Sequence, residues 1–502
     1  MSKSSGKDQS FSRGLSLTSL GAILGIGLDF CAFTFAARNV SKADFGIFAL
    51  FLVIGRFAQV ASDVGLRQTV VQHLSSGALP PDRTFQLALT IQTITATLIA
   101  GTLLAFGVTF PSTVPNHSAG FFVYLAAFVM VQGWHQLFSG TLQGLRLYRS
   151  YIAGELTRSL VRLALMLVLV TRVKLGLHGL MLSAVLGVMC AAIFQAGLIP
   201  LPKRFWVTIP ALRRTAAFAL PLAANGALGI TFDRLNRLIL GFWAGPVSLA
   251  LYETASRIPD AGIQVYLGFQ SAFFPNMSAV LGAGGKRHAA VILNQTFRLI
   301  SFAVATAAVI AYALRREIIV LLFSRQYADS ATAFGILAPV IVVAISNNLL
   351  QTTLIASGNS RGALKAGLFQ GLITIVLDVI LIPKLGYLGP VYGYIAGNVL
   401  VNPFVLGMVR KQGIYARAQS YAKPMALCLL AITAAAAING PWLGLAAGLF
   451  LFFALGAVTG CVTKDDIQLL IGENTRDNKS NIPASRITAG ITSDRVPEEP
   501  AI

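Results

Sequence analysis

Stretches of mainly apolar residues, each about as long as the ~20 residues a helix needs to cross hydrocarbon, recur along nearly the whole chain. They run near 15–37, 45–68, 84–108, 119–141, 151–171, 176–199, 215–242, 247–270, 290–313, 331–356, 362–382, 387–409, 421–439 and 441–462, fourteen in all. An open sheet would leave backbone N–H and C=O groups unpaired in lipid, so these runs predict helices. The expected fold is therefore an all-α polytopic membrane protein. A chain that is 55% hydrophobic and 12% charged, with a mean hydropathy of +0.71, fits no soluble class. The first run is long and carries Asp29, and it reads as a first span rather than a cleaved signal peptide.

The formal charge of +20 does not point to nucleic acid, because the basic residues are scattered over short connections and form no basic domain. Their distribution does orient the chain. Connections holding Lys3, Arg13, Arg83, Arg146, Arg149, Lys203, Arg213, Lys286, Arg361, Arg410 and Lys423 belong to the richer set. The opposite set holds Arg38, Lys42, Arg172, Lys174, Arg315, Arg316, Arg325 and Lys384. Lys and Arg collect on the cytoplasmic side, which places the richer set and both termini there. Reporter fusions after Lys203 and Lys423 are expected to read cytoplasmic, and fusions near Asn116 and Arg325 the opposite. One reversed fusion breaks the span count. The segment 1–14 is expected to be a cytoplasmic lead-in, and 472–502 a disordered cytoplasmic tail, being too polar to bury a core.

The chain also echoes itself. Val40-Ser41-x-Ala43-x-Phe45 returns as Val247-Ser248-x-Ala250-x-Tyr252, an offset of 207, and "KLGLHGLMLSAVLG" at 174–187 returns as "KLGYLGPVYGYIAG" at 384–397, an offset of 210. "QGLR" at 143–146 has a looser counterpart in "SGNSR" at 357–361. Together they predict two six-helix lobes, 15–199 and 215–409, joined by a basic linker at 200–214, with two further helices at 421–462. Parallel repeats of this kind place a site between the halves.

Ionisable residues inside the spans mark that site. A lipid-facing charge at depth costs several kcal/mol, so such groups face a cavity or a partner. At about 100° per residue, Asp233, Arg234, Asn236 and Arg237 of span seven fall within about 160°. In span eight Glu253, Ser256, Arg257, Asp260 and Gln264 fall within about 100°, and span two repeats the pattern with Arg56, Gln59, Asp63 and Arg67. Span one contributes Asp29. Spans one, two, seven and eight are equivalent pairs in the two halves. The same residues also admit a purely structural role: Asp233 with Arg237, and Glu253 with Arg257, are acid-before-base pairs four residues apart. Span four carries Gln132, His135, Gln136, Ser139 and Gln143, which suit helix packing at least as well as a ligand. Span five carries Glu155, Arg158, Ser159 and Arg162; Arg158 and Arg162 could meet an anionic headgroup or a lipid phosphate. The substrate-binding candidates are Arg56, Arg234, Arg237, Arg257, Asn236, Gln59 and Gln264. The ion-coupling candidates are Asp29, Asp233, Glu253 and Asp378. Asp29 has no basic residue within a helical turn, so it is the acid expected to exchange a proton unless Arg56 pairs with it. Cys31, Cys190, Cys428 and Cys461 have no metal-ligand spacing with His, and neither a metal site nor a cofactor is expected.

Several segments resemble one family. "RNVSKADFG" at 38–46, "SDVGLRQTVVQ" at 62–72, "LLFSRQYADSATAFGILAP" at 321–339, "IASGNSR" at 355–361 and "IPKLGYLGPVYGYIAGN" at 382–398 are similar to the corresponding segments of the Wzx-like polysaccharide-export flippases, of the multidrug/oligosaccharidyl-lipid/polysaccharide superfamily. The resemblance covers about 15 to 410 and implies two lobes around a cavity lined by spans one, two, seven and eight. It also implies alternating access, coupled to an ion gradient, that moves an undecaprenyl-pyrophosphate-linked oligosaccharide to the outer leaflet of a bacterial inner membrane. Membrane lipids, and the polymerase and glycosyltransferases of the pathway, would be its partners.

Three functions compete. A lipid-linked oligosaccharide flippase would clasp pyrophosphate with arginines. A drug antiporter of the related branch would more naturally use an acidic cavity, and here arginines balance the acids. A membrane glycan polymerase or ligase needs a sizeable outer loop, but the connections at 109–118 and 314–330 are short. GxxxxGK[ST] does not occur, which argues against nucleotide hydrolysis. The expectation is a transporter, not an enzyme.

Overall fold

A computed structural model of the chain describes residues 4–76, 80–110, 118–200 and 209–461. The predicted 472–502 tail and most of the 200–214 linker lie outside the described residues, and the 1–14 lead-in is described only as helical backbone from Ser4. Within the described residues the chain is helical, with no strand. The first lobe holds α1 (Ser4–Asn39), α2 (Lys42–Asp63), α3 (Leu66–Ser76), α4 (Pro81–Thr109), α5 (Ser118–Gly144), α6 (Tyr148–Met166) and α7 (Gly176–Leu198). The second holds α8 (Ile209–Trp243), α9 (Gly245–Gly282), α10 (Lys286–Ala313), α11 (Arg315–Phe323), α12 (Ser330–Ala356), α13 (Ser360–Leu385) and α14 (Gly389–Lys411). The hairpin α15 (Gln419–Ala437) and α16 (Pro441–Thr459) packs on α10.

Apart from the short α3 and α11, these helices match the fourteen apolar runs one for one. Nine described segments are long and apolar enough to cross a membrane, and one of these, 360–411, contains both α13 and α14. The four long helices outside that set are α1, α6, α8 and α9. Asp29, Glu155, Arg158, Arg162, Arg234, Arg237, Glu253, Arg257 and Asp260 sit on them. These ionisable helices are the ones that meet at the centre.

The duplication is visible in the packing. The pairings α1 with α6, α2 with α5, α4 with α5, α5 with α7 and α6 with α7 recur as α8 with α13, α9 with α12, α10 with α12, α12 with α14 and α13 with α14.

Two local features depart from the run-by-run expectation. The second span was expected to continue to 68, but α2 stops at Asp63. Val64 (φ 45°) and Gly65 (φ 73°) both adopt the left-handed conformation that ends a helix. Arg67 therefore sits on α3, off the α2 stripe, and donates to Gln136 Oε1 at 2.7 Å. The connection at 314–330 is not a plain loop either. It folds as α11 followed by a single turn, and Ile319, Phe323 and Tyr327 are buried against the other lobe.

That contact closes one end of the inter-lobe cleft. Ser41 caps α2 by accepting from Asp44 N–H at 3.1 Å, which fixes where the chain turns from α1 into α2. Arg38 then donates to Leu321 O at 2.6 Å, Gln326 to Ala37 O at 2.8 Å, and Lys42 pairs with Asp329 at 3.3 Å. Phe33 meets Phe323, and Phe45 meets Tyr327, edge to face at 5.9 and 5.8 Å. Gly46 of α2 lies against the Pro246 backbone at the start of α9, and a Cβ at Gly46 would land on that carbonyl. Gly46→Leu is expected to prise this seam apart, since overpacking costs about 1–3 kcal/mol and backbone cannot rotate away. A cysteine at Ala49, on the cavity wall, should then react several-fold faster with a water-soluble maleimide. Unchanged labelling would mean the seam does not gate the cavity.

Candidate functional site

Between the lobes, α1, α2, α6, α8 and α9 enclose a cavity of about 620 Å³. Its wall carries Asp29, Arg56, Arg162, Arg234, Glu253 and Arg257, four arginines against two carboxylates. Both carboxylates are already engaged. Asp29 accepts from Arg158 Nη2 at 3.0 Å and Ser159 Oγ at 3.2 Å, with Arg162 at 3.8 Å. Glu253 accepts from Arg237 Nε at 2.7 Å. Arg158 and Arg237 hold these acids without lining the cavity themselves, so the wall keeps a net positive charge. Arg257 lies 4.4 Å over the Phe33 ring and donates to the Asp29 backbone oxygen at 3.4 Å. Its position is set by an aromatic face and a carbonyl rather than by a carboxylate.

These pairings correct two expectations. Asp29 was expected to lack a basic neighbour unless Arg56 reached it. Its partners instead come from α6, because α1 packs along that helix and turns Asp29 onto the Arg158–Arg162 face. The i to i+4 reading of Glu253 with Arg257 gives way to a cross-helix clamp. Arg237 of α8 bridges Glu253 and Asp260 of α9, at 2.7 Å each, and is 4% exposed. The Asp233 side chain lies outside the described residues.

A larger cavity of about 880 Å³ lies within the second lobe, lined by Asn236, Arg237, Tyr252 and Asp260 among many apolar side chains. Asn236 donates to Tyr252 Oη at 3.2 Å. This cavity is the bigger of the two, but its arginine is matched by two acids, whereas among the described residues of the smaller wall arginines outnumber carboxylates. Gln59 is buried, accepts from Arg56 Nη1 at 2.9 Å, and faces a 160 Å³ space in the first lobe shared with Gln132, Arg158 and Arg162. Gln264 is exposed and lines none of these three spaces. Asp378 of α13 is fully buried against Gly393, and both its oxygens lack a hydrogen-bond donor. Of the expected site residues, Asp29, Arg56, Arg234, Glu253 and Arg257 are brought together; Asn236, Arg237 and Gln59 fall in adjoining spaces.

Sequence reasoning did not place Arg162 on this wall. Glu155, Arg158 and Arg162 form one face of span five at spacings of three and four, but periodicity does not name the helix such a face meets.

A family model described as "Polysaccharide biosynthesis protein" matches residues 35–332. A probable low-salt glycan biosynthesis flippase, Agl15, from Haloferax volcanii is 22% identical over 377 residues, covering 73% of this chain and 76% of that protein. Among solved structures, the lipid II flippase MurJ in an inward closed conformation superposes with a TM-score of 0.69 at 11% identity, covering 88% of this chain and 98% of that one. An inward-facing multidrug resistance MATE family transporter of the MOP superfamily gives 0.61 at 15% identity, covering 77% and 93%.

Proposed function

The chain belongs to the polysaccharide biosynthesis protein family, and from that premise we propose that it is a flippase moving a polyprenyl-pyrophosphate-linked oligosaccharide repeat unit across a bacterial inner membrane, for exopolysaccharide, capsule or O-antigen synthesis. One observation carries this reading. The inter-lobe cavity has four arginines on its wall, and both of its carboxylates are occupied by arginine. A pyrophosphate offers the multiple oxygens that forked guanidinium donors fit. Among the described residues a cation would find no acid there without an arginine on it, which disfavours the drug-antiporter alternative.

In the proposed cycle, Arg56, Arg234 and Arg257 receive the pyrophosphate. Neutral side chains of the second-lobe cavity, Asn236 among them, face the sugars, and the polyprenyl chain stays in lipid. The lobes rock so that the cavity opens to one leaflet and then the other; the seam of α1 and α2 against α11 and Pro246 is the gate on the outer side in the orientation set by the basic residues. Among the four acids expected to couple ions, Asp29 and Glu253 are held by arginines and the Asp233 side chain lies outside the described residues; Asp378, which has no donor among the described residues, is the one to which we assign that role. Asp378→Asn is expected to leave transport insensitive to a proton or sodium gradient. Gradient dependence equal to the parent's would remove Asp378 from the mechanism.

The flippase itself is tested in reconstituted vesicles, by following a fluorescent polyprenyl-pyrophosphate-linked saccharide from one leaflet to the other alongside a cationic dye. Movement of the saccharide and not the dye is the expected result. Movement of the dye alone would make the protein an antiporter.

A further inference from the structure

Inside the first lobe, between α5, α6 and α7, His135 is fully buried. Its Nδ1 lies 2.9 Å from Gln195 Oε1. An amide oxygen only accepts, so Nδ1 carries a hydrogen. The amide is turned this way because Gln195 Nε2 donates to Ser139 Oγ at 3.0 Å, and Ser139 donates onward to Glu155 Oε1 at 3.1 Å. The other ring nitrogen, Nε2, faces the same Glu155 oxygen at 3.4 Å. A neutral imidazole protonated at Nδ1 has a lone pair at Nε2. On a fully buried ring facing a carboxylate, that lone pair is repelled. One more proton, on Nε2 or on the carboxyl, turns the contact into an attraction.

The pair is wired to the lobe interface. Arg158 donates through Nε to Glu155 Oε2 at 3.3 Å and through Nη2 to Asp29 Oδ2 at 3.0 Å. Asp29 sits on α1, whose backbone oxygen at that residue receives Arg257 of α9 and whose far end carries the Arg38–Leu321 contact. The charged and titratable groups around the pair are Asp29 from α1, Arg67 from α3, and Tyr151, Arg158 and Arg162 from α6; α7 contributes the neutral Gln195. Glu155 is 27% exposed, and its partner Arg158 lines the 160 Å³ space, which shares Arg56 and Arg162 with the central cavity. That volume admits water.

We propose that His135 and Glu155 form a proton-binding site whose occupancy sets how firmly Arg158 grips Asp29, and thereby how firmly α1 is held at the inter-lobe seam. With the proton bound, the pair has one charge fewer to offer Arg158, and Arg158 serves Asp29. When the proton leaves, the full Glu155 carboxylate draws Arg158 away and α1 loosens. Linkage makes this reciprocal: a loosened seam releases the proton. Only the transport arm of the test rests on the flippase reading; the proton site itself does not.

The test uses the full chain in lipid nanodiscs. Infrared difference spectra between about pH 5 and about pH 8, a span that brackets the free imidazole, should show carboxyl or imidazole bands that Glu155→Gln, which preserves shape and an acceptor for Ser139, and His135→Gln both remove and that Asp378→Asn leaves in place. A cysteine at Ala49 should label faster at the higher pH in the parent and at a pH-independent rate in Glu155→Gln. In vesicles, saccharide flux should lose its response to a proton gradient in Glu155→Gln. A spectrum in which the two variants remove no band in common, or parental gradient dependence in Glu155→Gln, each overturns the site. If the parent moves no saccharide at all, the flippase reading fails, and the spectra and labelling still decide the proton site.

Discussion

Arg257→Ala is expected to lower saccharide transport by about 30-fold or more while the protein stays in the membrane at parental abundance. The functional loss follows from removing a forked donor that meets pyrophosphate away from bulk water, where truncating one partner of a charge pair costs upward of about 2 kcal/mol. The expectation of normal abundance follows from the company Arg257 keeps. Its visible contacts are the Phe33 ring and one backbone oxygen, a cation–π contact worth about 0.5–2 kcal/mol. Neither wall carboxylate is stranded when it goes, since Asp29 keeps Arg158 and Glu253 keeps Arg237. Arg257→Lys should recover only part of the transport, because an ammonium supplies the charge without the fork. Flux and membrane abundance measured together decide the matter. Normal flux in the alanine variants of Arg56, Arg234 and Arg257 alike would remove the pyrophosphate from this cavity.

The bundle was legible because its cause is local. An apolar run and a 3.6-residue period specify a helix and a face wherever the chain goes, so the fourteen runs and the wet stripes of α2, α8 and α9 could be read directly. The partners of those stripes could not. Asp29 and Arg158 are separated by 129 positions, and nothing in either neighbourhood says that α1 lies along α6. The pair Glu253–Arg257 was plausible from spacing alone. In the fold a guanidinium on α8 reaches two acids on α9, because a helix-crossing pair brings deeper burial than a pair on one helix surface. The break after Asp63 was hidden for a different reason: Val64 holds a left-handed conformation that β-branched residues rarely adopt, so only the following glycine hinted at it. Gln264 fits the α9 stripe by angle, yet it is exposed and lines none of the three spaces, since angle carries no information about depth.

Arg237→Ala should fail in a different way from Arg257→Ala. Arg237 is 4% exposed and donates at 2.7 Å to both Glu253 and Asp260, with Ser256 at 3.4 Å and the Tyr252 ring 5.5 Å away. Its removal leaves Glu253, 7% exposed, without the cation that neutralises it. Breaking one side of a buried pair costs about 3–5 kcal/mol, more than the pair contributes over an apolar replacement. The expected result is a sharp fall in membrane abundance and in thermal midpoint, with transport lost along with the fold. Neutralising the stranded acids tests the cause: Arg237→Met combined with Glu253→Gln and Asp260→Asn should regain most of the abundance. Transport by that triple variant then separates two roles. If it moves the saccharide, the clamp only joins α8 to α9. If it folds but does not transport, the polar groups of the clamp take part in transport beyond joining the two helices. A single Arg237→Ala variant that accumulates and melts like the parent would sink both versions, because no buried acid could then have depended on it.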